Sequence, residues 1–369
     1  MTFNELINEI IKLQDEGLEL FSVGKSVLGK NILATHVGSY SGNQVVFQAG
    51  IHGREYITSL LLVELAKYTS KQYIESGGIY FIFLTNPDGA QIVLDGVNIL
   101  PCEVTKQYLI LANNGDSNFS QYKANVNLVD LNTNFNARWG GGAQNVFCPS
   151  TENFVGFYPE SEREVQNLIN FTLKNKPLIT ISYHSKGEII YYGFEGESAE
   201  NISRDRQIGE ELSASTGYSL IFTENSTGGY KDWCINSLQI PSYTIEVGSE
   251  NLTHPIGKEH LPEIFEKNKN VPLLTLSLAN KYAKNIDFKN QISQNKIKEK
   301  ENESNENGYL ARLQSYARRR DSNRRCYYVQ QQDNSESPQQ AWKKPNCNSS
   351  RWNFSNWKSL QKIKILAFG

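Results

Sequence analysis

A histidine and a glutamate stand three positions apart where two predicted elements meet. The stretch "FQAGIHGREYITSLLLVELAKY" (47–68) passes from an apolar run to an amphipathic segment, with His52, Arg54 and Glu55 between them. An imidazole and a carboxylate at this spacing on one turn can reach the same cation. Catalytic zinc usually takes three protein ligands and leaves a fourth position for water. The pair therefore predicts part of a zinc site whose third ligand lies elsewhere in the chain.

The third ligand is expected at a second strand end. His184 closes the apolar run "LITISYH" (178–184), and sites in open α/β sheets form beyond the carboxyl ends of strands. The other histidines fit less well, because His36 lies inside a predicted strand and His254 and His260 fall in a polar loop and a helix start. The sequence thus favours His184 as the third ligand, whereas His36 is more typical of a packed core histidine.

A zinc hydrolase also needs a base that takes a proton from water. Glu246 is the candidate, because it lies inside the apolar β run of "PSYTIEVGSE" (241–250), where a carboxylate is costly unless it is functional or paired. The alternative is a core salt bridge, for which Lys186 or Lys231 could be the partner.

These residues need a rigid frame, and the chain up to about residue 287 predicts one. The predicted strands are 45–50, 79–86, 178–184, 188–194 and 243–249,. The predicted helices are 58–76, 161–176, 204–216 and 266–285,. Near-continuous apolar strands between helices indicate a sheet that is covered on both faces. We therefore predict an α/β protein with a three-layer α/β/α sandwich.

Composition excludes several classes of function. A formal net charge of -2 gives no general attraction to nucleic acid or anionic membranes,. No apolar run is long enough for a transmembrane helix, and the first residues lack the pattern of a signal peptide. The five cysteines are not closely paired and do not predict a disulfide framework. We therefore expect a reducing, cytoplasmic setting, with a sporulation-linked role as one option.

Five motifs together resemble the zinc carboxypeptidase family. They are "IHGREYIT", "VDLNTNFNARWG", "SYHSKGEIIYYGF", "GGYKDW" and "SYTIEVGS", and they occur in the family's order and spacing over about residues 1–285. The stretches "YKANVNLVDLN" and "HSKGEIIYY" are most similar to the branch that cleaves bacterial cell-wall peptides, the γ-D-glutamyl-meso-diaminopimelate peptidases. The resemblance implies a mixed, mostly parallel sheet in the α/β/α sandwich and one zinc ion per chain.

The resemblance also implies catalytic roles. His52, Glu55 and His184 match the three zinc ligands, and Glu246 matches the general base and acid. Arg54 matches the arginine beside the first ligand pair, and Lys123 matches a basic group that some branches use to polarise the scissile carbonyl. Either could hold the oxyanion. A further match, Asp130, could orient a ligand or a backbone turn.

A second group of residues matches positions that bind substrate. Asn132 matches an asparagine that helps to bind a substrate carboxylate. Lys231 and Asp232 place one charge of each sign beside the expected pocket for the side chain after the scissile bond. Thr133 occupies the position where digestive carboxypeptidases carry an arginine that clamps the C-terminal carboxylate. Another arginine, such as Arg138, could replace that clamp from a nearby position.

The chain beyond the peptidase region changes character. We predict a zinc peptidase domain over 1–287, a polar linker over 288–308 and a poorly ordered or degenerate tail over 309–369,. The tail faintly resembles a remnant of a wall-binding repeat, and its arginine cluster is typical of a solvated basic segment.

The leading functional hypothesis is a zinc peptidase that cleaves peptidoglycan stem peptides at the γ-D-Glu–meso-diaminopimelate bond. The alternatives are a general metallocarboxypeptidase that releases C-terminal residues and a non-catalytic cell-wall binding protein. All three predict a peptide partner and neither nucleic acid nor a membrane.

Overall fold

The computed structural model describes residues 1–283. Its strands are β1 (Leu20–Lys25), β2 (Asn31–Gly38), β3 (Gln44–Gln48), β4 (Gly78–Ile82), β5 (Ile179–His184), β6 (Ile189–Tyr192), β7 (Ser219–Phe222) and β8 (Ser242–Glu246). Its helices are α1 (Phe3–Ile11), α2 (Ile57–Ser70), α3 (Pro87–Asp95), α4 (Glu103–Ala112), α5 (Arg163–Asn175), α6 (Ala199–Thr216), α7 (Tyr230–Leu238), α8 (Leu261–Asn268) and α9 (Val271–Tyr282). The predicted linker (288–308) and tail (309–369), and the domain boundary at 287, lie outside the described residues.

The strands form a mixed sheet in the order β1-β2-β4-β3-β5-β8-β6-β7. β3 pairs in parallel with β4 and β5, β5 with β8, and β6 with β7. The pairs β1–β2, β2–β4 and β6–β8 are antiparallel. The parallel centre explains the continuous apolar runs, because every residue of β3, β4 and β5 is buried,.

Helices cover both faces of the sheet. On one face, α1, α2, α6, α8 and α9 contact one another and the strands beneath them. On the other face, α5 packs on β1 and α7 packs on β5 and β8, and the hydroxyl groups of Thr172 on α5 and Tyr230 on α7 are hydrogen bonded at 2.7 Å. The predicted α/β/α sandwich with a mixed sheet is confirmed.

One predicted helix is wrong in detail. The segment 266–285 was expected as a single helix, but the structure has the end of α8 and then α9. Pro272 lies in the first turn of α9. A proline has no backbone N–H for the helical ladder, and its ring clashes with the preceding turn. The chain therefore starts a new helix at this point.

The cysteines also differ from expectation. Cys102 and Cys148 are each disulfide-bonded, whereas Cys234 is free and buried. The expectation that the cysteines do not pair is therefore wrong for these two, and one ground for a reducing compartment is removed. The cytoplasmic setting stays a prediction.

Within residues 1–283, no helix has the length and apolar character needed to cross a bilayer.

Candidate active site

Three side chains with metal-binding atoms converge at the carboxyl end of the parallel strands. His52 Nδ1 lies 2.8 Å from Glu55 Oε1, and His184 Nδ1 lies 3.1 Å from Glu55 Oε2. All three residues are buried, and their ligand atoms lie within 4.8 Å of one another. The structure thus brings together the three residues that the sequence and the family resemblance single out as metal ligands.

A tight turn after β3 positions the first two of these residues. A 3-10 helix, Gly53–Glu55, leads directly towards α2. Gly53 packs so closely on Gly89 that a Cβ atom would lie 2.7 Å from the backbone of Gly89, so only glycine fits. The Thr58 hydroxyl accepts a hydrogen bond from Gly50 N at 3.0 Å and donates one to the Glu55 carbonyl at 2.7 Å. The first turn of α2 therefore holds the ligand turn in place.

Sheet register positions the other two groups. Gln48 at the end of β3 is paired with Ser182 of β5, so His184 lies just beyond, on the side of the ligand turn. His184 in turn is paired with Glu246 of β8. A shift of one residue in either pairing would point the side chain to the opposite face of the sheet.

Asp130 orients His52 from outside the ligand group. Its Oδ1 atom accepts hydrogen bonds from His52 Nε2 at 3.1 Å and from Asn132 N at 3.0 Å, and its Oδ2 atom accepts one from Asn153 N at 3.1 Å. A proton on Nε2 leaves the lone pair of Nδ1 for a metal, which is the usual arrangement of a ligating histidine. Burial raises the pKa of Asp130, but the charge and hydrogen bond of His52, the charge of Lys123 and the hydrogen bond from Asn153 together outweigh burial and lower it.

The three side chains fit a zinc ion. Two imidazole nitrogens and one carboxylate are typical catalytic zinc ligands, and donors at about 2.0–2.1 Å in tetrahedral geometry stand roughly 3.3 Å apart. Burial lowers the pKa of His52, but Glu55 and Asp130 outweigh burial and raise it to about 9. The two carboxylates thus favour positive charge at this place, which a divalent cation would supply.

Glu246 lies next to the ligand group and has no ion-pair partner among the described residues. The two lysines considered as salt-bridge partners are paired elsewhere, Lys186 with Glu250 and Lys231 with Asp232. Burial and the charge of Glu55 raise the pKa of Glu246 to about 8, although nearby cations act in the opposite direction. The structure therefore gives no support to a core salt bridge.

Two of those cations are Arg54 and Lys123, both half-buried. Their charges act on Glu246. Within residues 1–283 the Lys123 ammonium makes no ion pair or hydrogen bond, and Arg54 uses Nη1 to donate to the Gln121 carbonyl at 3.2 Å. Neither cation is neutralised by a carboxylate, so both can meet negative charge on a substrate.

The other predicted substrate residues form a connected group beside Asp130. Asn132 Oδ1 accepts a hydrogen bond from Tyr230 N at the start of α7, at 3.1 Å. The Thr133 hydroxyl donates to the carbonyls of Asp130 and Phe154, at 2.9 and 3.2 Å. Thr133 is thus bonded to the backbone and cannot replace an arginine clamp.

Lys231 and Asp232 form a buried ion pair at the start of α7. Lys231 Nζ lies 2.6 Å from Asp232 Oδ1 and 2.7 Å from the Gly193 carbonyl. Asp232 Oδ2 accepts a hydrogen bond from Gly229 N at 3.0 Å. An ammonium group has three N–H donors, so one donor of Lys231 is left for a ligand. The two side chains are only 6% and 3% exposed, so this is not a surface ion pair.

Arg138, considered above as a replacement clamp, lies at the surface. Its guanidinium pairs with Glu195 at 2.8 Å, and both side chains are about half exposed. It also lies over the ring of Phe194, 5.9 Å from the ring centre. One arm of its guanidinium, Nη1, is therefore already engaged by Glu195.

Sequence reasoning missed His254. The charges of Glu55, Arg54, Lys186 and Lys123 all act on its imidazole, so it lies close to the candidate active site. No predicted strand ends at His254, so the strand-end pattern gives no reason to choose this histidine. Loops have no periodicity from which their path can be read, and no local signal in the sequence would have shown this position.

Fold and site together are those of a zinc metallopeptidase. The family model described as zinc carboxypeptidase matches residues 3–271. This range contains the whole candidate site, and the chain belongs to the zinc carboxypeptidase family.

Individual relatives agree with this assignment. The chain is similar to gamma-D-glutamyl-L-diamino acid endopeptidase 1 of Lysinibacillus sphaericus, with 30% identity over 75% of this chain and 72% of the relative. It is also 28% identical to the uncharacterized protein YqgT of Bacillus subtilis, over 68% of this chain and 69% of that protein. Among solved structures, bovine thrombin-activatable fibrinolysis inhibitor has a similar fold, with a TM-score of 0.58, 18% identity, and coverage of 78% of this chain and 98% of that one.

Proposed function

We propose that this chain hydrolyses the γ-D-Glu–meso-diaminopimelate bond of peptidoglycan stem peptides. The observation that carries the proposal is the buried Lys231–Asp232 pair. Diaminopimelate ends in an amine and a carboxylate, so a pocket for it needs one group of each sign. The name of the Lysinibacillus sphaericus relative supports the same class of substrate, a γ-D-glutamyl bond to a diamino acid.

The surroundings of the pair connect it to the candidate active site. The side chain of Asn132 accepts a hydrogen bond at the start of α7, where Lys231 lies. The backbone N–H of Asn132 donates to Asp130, which also holds His52. The free donor of Lys231 can bind the distal carboxylate of diaminopimelate, and Asp232 can accept from the distal amine. Both groups are buried, so their charges act more strongly than those of an exposed pair.

In this mechanism His52, Glu55 and His184 would hold the zinc ion. When bound, zinc would lower the pKa of a water molecule and polarise the scissile carbonyl. Glu246 takes the proton from the attacking water and returns it to the leaving amine. Either Lys123 or Arg54 can face the negative charge that develops on the carbonyl oxygen. No side chain needs to form a covalent intermediate.

The proton affinity of Glu246 suits this role. A pKa of about 8 in the metal-free protein keeps Glu246 largely protonated at neutral pH. A divalent charge nearby favours the ionised carboxylate, so the base is generated where and when the cation is present. The Glu246 side chain can then exchange a proton with water at little cost near neutral pH.

A general metallocarboxypeptidase is the second candidate, and Asn132 favours it because its amide could bind a C-terminal carboxylate. Thr133 argues against it, since the bonded hydroxyl provides no positive charge for that carboxylate. Arg138, the other possible clamp, is paired with Glu195. The distal group of the substrate should therefore contribute more to recognition than the main-chain carboxylate.

The test compares L-Ala-γ-D-Glu-meso-diaminopimelate with blocked dipeptides that end in Phe or Arg. We expect the wall tripeptide to be hydrolysed faster. A matched control replaces meso-diaminopimelate by L-Lys, which lacks only the distal carboxylate, and should be a poorer substrate. Faster hydrolysis of the ordinary dipeptides would overturn the proposal in favour of a general carboxypeptidase.

A further inference from the structure

Gln121 joins two groups that come from distant parts of the chain. Its Nε2 atom donates to the His254 carbonyl at 2.7 Å, and its own carbonyl accepts from Arg54 Nη1 at 3.2 Å. His254 lies in the loop after β8, whereas Arg54 lies in the ligand turn after β3. Gln121 thus holds the loop of His254 against the turn that carries Arg54.

Each of these two residues has a buried nitrogen without a partner. Within residues 1–283, Arg54 Nε and His254 Nδ1 are inaccessible to solvent and make no hydrogen bond. A buried donor that lacks an acceptor costs free energy, and such groups are rare in folded proteins. A ligand whose acceptor oxygens reach these nitrogens would satisfy them.

The charges around His254 favour an anionic ligand. Burial lowers the pKa of His254, and the positive charges of Arg54, Lys186 and Lys123 lower it further. Glu55 acts in the opposite direction, and the pKa of His254 is about 4. His254 is therefore neutral at neutral pH and, with a proton on Nδ1, acts as a hydrogen-bond donor.

The sheet shows which part of a substrate reaches this place. In the order β3-β5-β8-β6, Arg54 follows β3, whereas Gly193, which binds Lys231, follows β6. His184 at the end of β5 and Glu246 at the end of β8 lie between them. If Lys231 takes the residue after the scissile bond, then Arg54 and His254 face the residue before it.

We propose that Arg54 and His254 bind the free α-carboxylate of a γ-linked D-glutamyl residue before the scissile bond. This rests on the function proposed above and extends it. In a γ-linked residue the α-carboxylate is free, whereas in an ordinary α-linked residue the same carboxyl group forms the peptide bond. The pair Arg54–His254 therefore selects the γ-glutamyl linkage, and Lys123 remains for the oxyanion.

The experiment compares L-Ala-γ-D-Glu-meso-diaminopimelate with the analogue whose glutamyl α-carboxylate is an amide. The full-length wild-type chain should have a kcat/KM about tenfold to a hundredfold higher for the carboxylate form, which is the usual effect of a hydrogen bond to a charged group. His254→Ala should reduce this ratio by about tenfold while the zinc content and Tm stay unchanged. His254→Asn, which keeps a donor near the Nδ1 position, should retain part of the preference.

His260→Ala is the matched control, since His260 is a partly exposed histidine of the same region and should leave the ratio unchanged. Calorimetric titration with L-Ala-γ-D-Glu and its α-amide provides a readout without turnover, and His254→Ala should weaken binding of the carboxylate form alone. If the wild type cleaves both tripeptides equally well, or if His254→Ala slows both equally, the inference is overturned while the proposed function stands. If neither tripeptide is cleaved, both fall.

Discussion

Substitution of Asp130 by asparagine tests how the candidate zinc site is held. The carboxylate accepts three hydrogen bonds, from His52 Nε2, Asn132 N and Asn153 N. An asparagine has nearly the same shape but only one oxygen, so its amide nitrogen must face either His52 and Asn132 or Asn153. One or more donors lose their acceptor in each case, and His52 loses the negative charge beside it.

The expected effect has two parts. Loss of the partner of a ligating histidine typically weakens metal binding about 10- to 100-fold, which is about 1.4–2.7 kcal/mol. The buried N–H group left without an acceptor should lower the free energy of unfolding by about 1–3 kcal/mol. Asp130→Asn should therefore both weaken zinc binding and lower Tm.

Zinc affinity would be measured by competition with a chromophoric chelator, and stability by thermal unfolding of the zinc-free protein. Asp88→Asn is the matched control, because Asp88 is also buried and accepts from Leu28 N at 2.8 Å and Lys30 Nζ at 2.6 Å. It should lower Tm without changing zinc affinity. If Asp130→Asn lowers Tm as Asp88→Asn does but binds zinc like the wild type, Asp130 has no role in orienting His52.

Three further substitutions test other parts of the site and the fold. Glu246→Gln should retain zinc and the wild-type Tm but lower kcat by at least about 100-fold, and normal activity in steady-state assays would refute its role as base. His184→Ala should abolish zinc retention, as measured by elemental analysis after gel filtration, and a full complement of zinc in this variant would contradict the ligand assignment. Burial raises the pKa of Glu164 from 4.5 to about 7, so the folded state holds this proton more tightly than the unfolded state. Stability should fall as pH rises from 4.5 through 7, by roughly 3 kcal/mol, and Glu164→Gln should remove that part of the pH dependence in denaturant titrations.

The central strands were readable from the sequence because their burial is continuous. The predicted strand 178–184 corresponds to β5 (Ile179–His184), and the apolar run around Glu246 corresponds to β8. In such strands the first polar side chain after an apolar run marks the carboxyl end. The position of His184 at a strand end therefore followed from the sequence pattern, whereas Glu246, which the sequence placed inside the strand 243–249, is the last residue of β8.

The edges of the sheet were harder to predict. β1 and β7 are only partly buried, so their sequences lack a continuous apolar run and resemble loops. The strand order is also not a local property, since β4 lies between β2 and β3 and β8 lies between β5 and β6. Such pairing depends on the packing of the whole domain.

Contacts between distant loops could not be predicted either. Asp130 meets His52 across 78 positions, and Gln121 meets His254 across 133 positions. No sequence spacing encodes these distances. The family resemblance indicated a position for Asp130, but nothing indicated one for His254, which became visible only from the geometry.

The direct pairing of β3 with β5 has a consequence for how the protein exchanges its metal. The ligand turn and His184 are held by sheet register and by the start of α2, through contacts that do not involve a metal ion. Zinc loss and unfolding are therefore separate events, and amide hydrogens of β3 and β5 should exchange with deuterium almost equally slowly with and without a chelator. Zinc removed by dialysis should return without a refolding step, so that recovery of activity follows the rate of metal association alone.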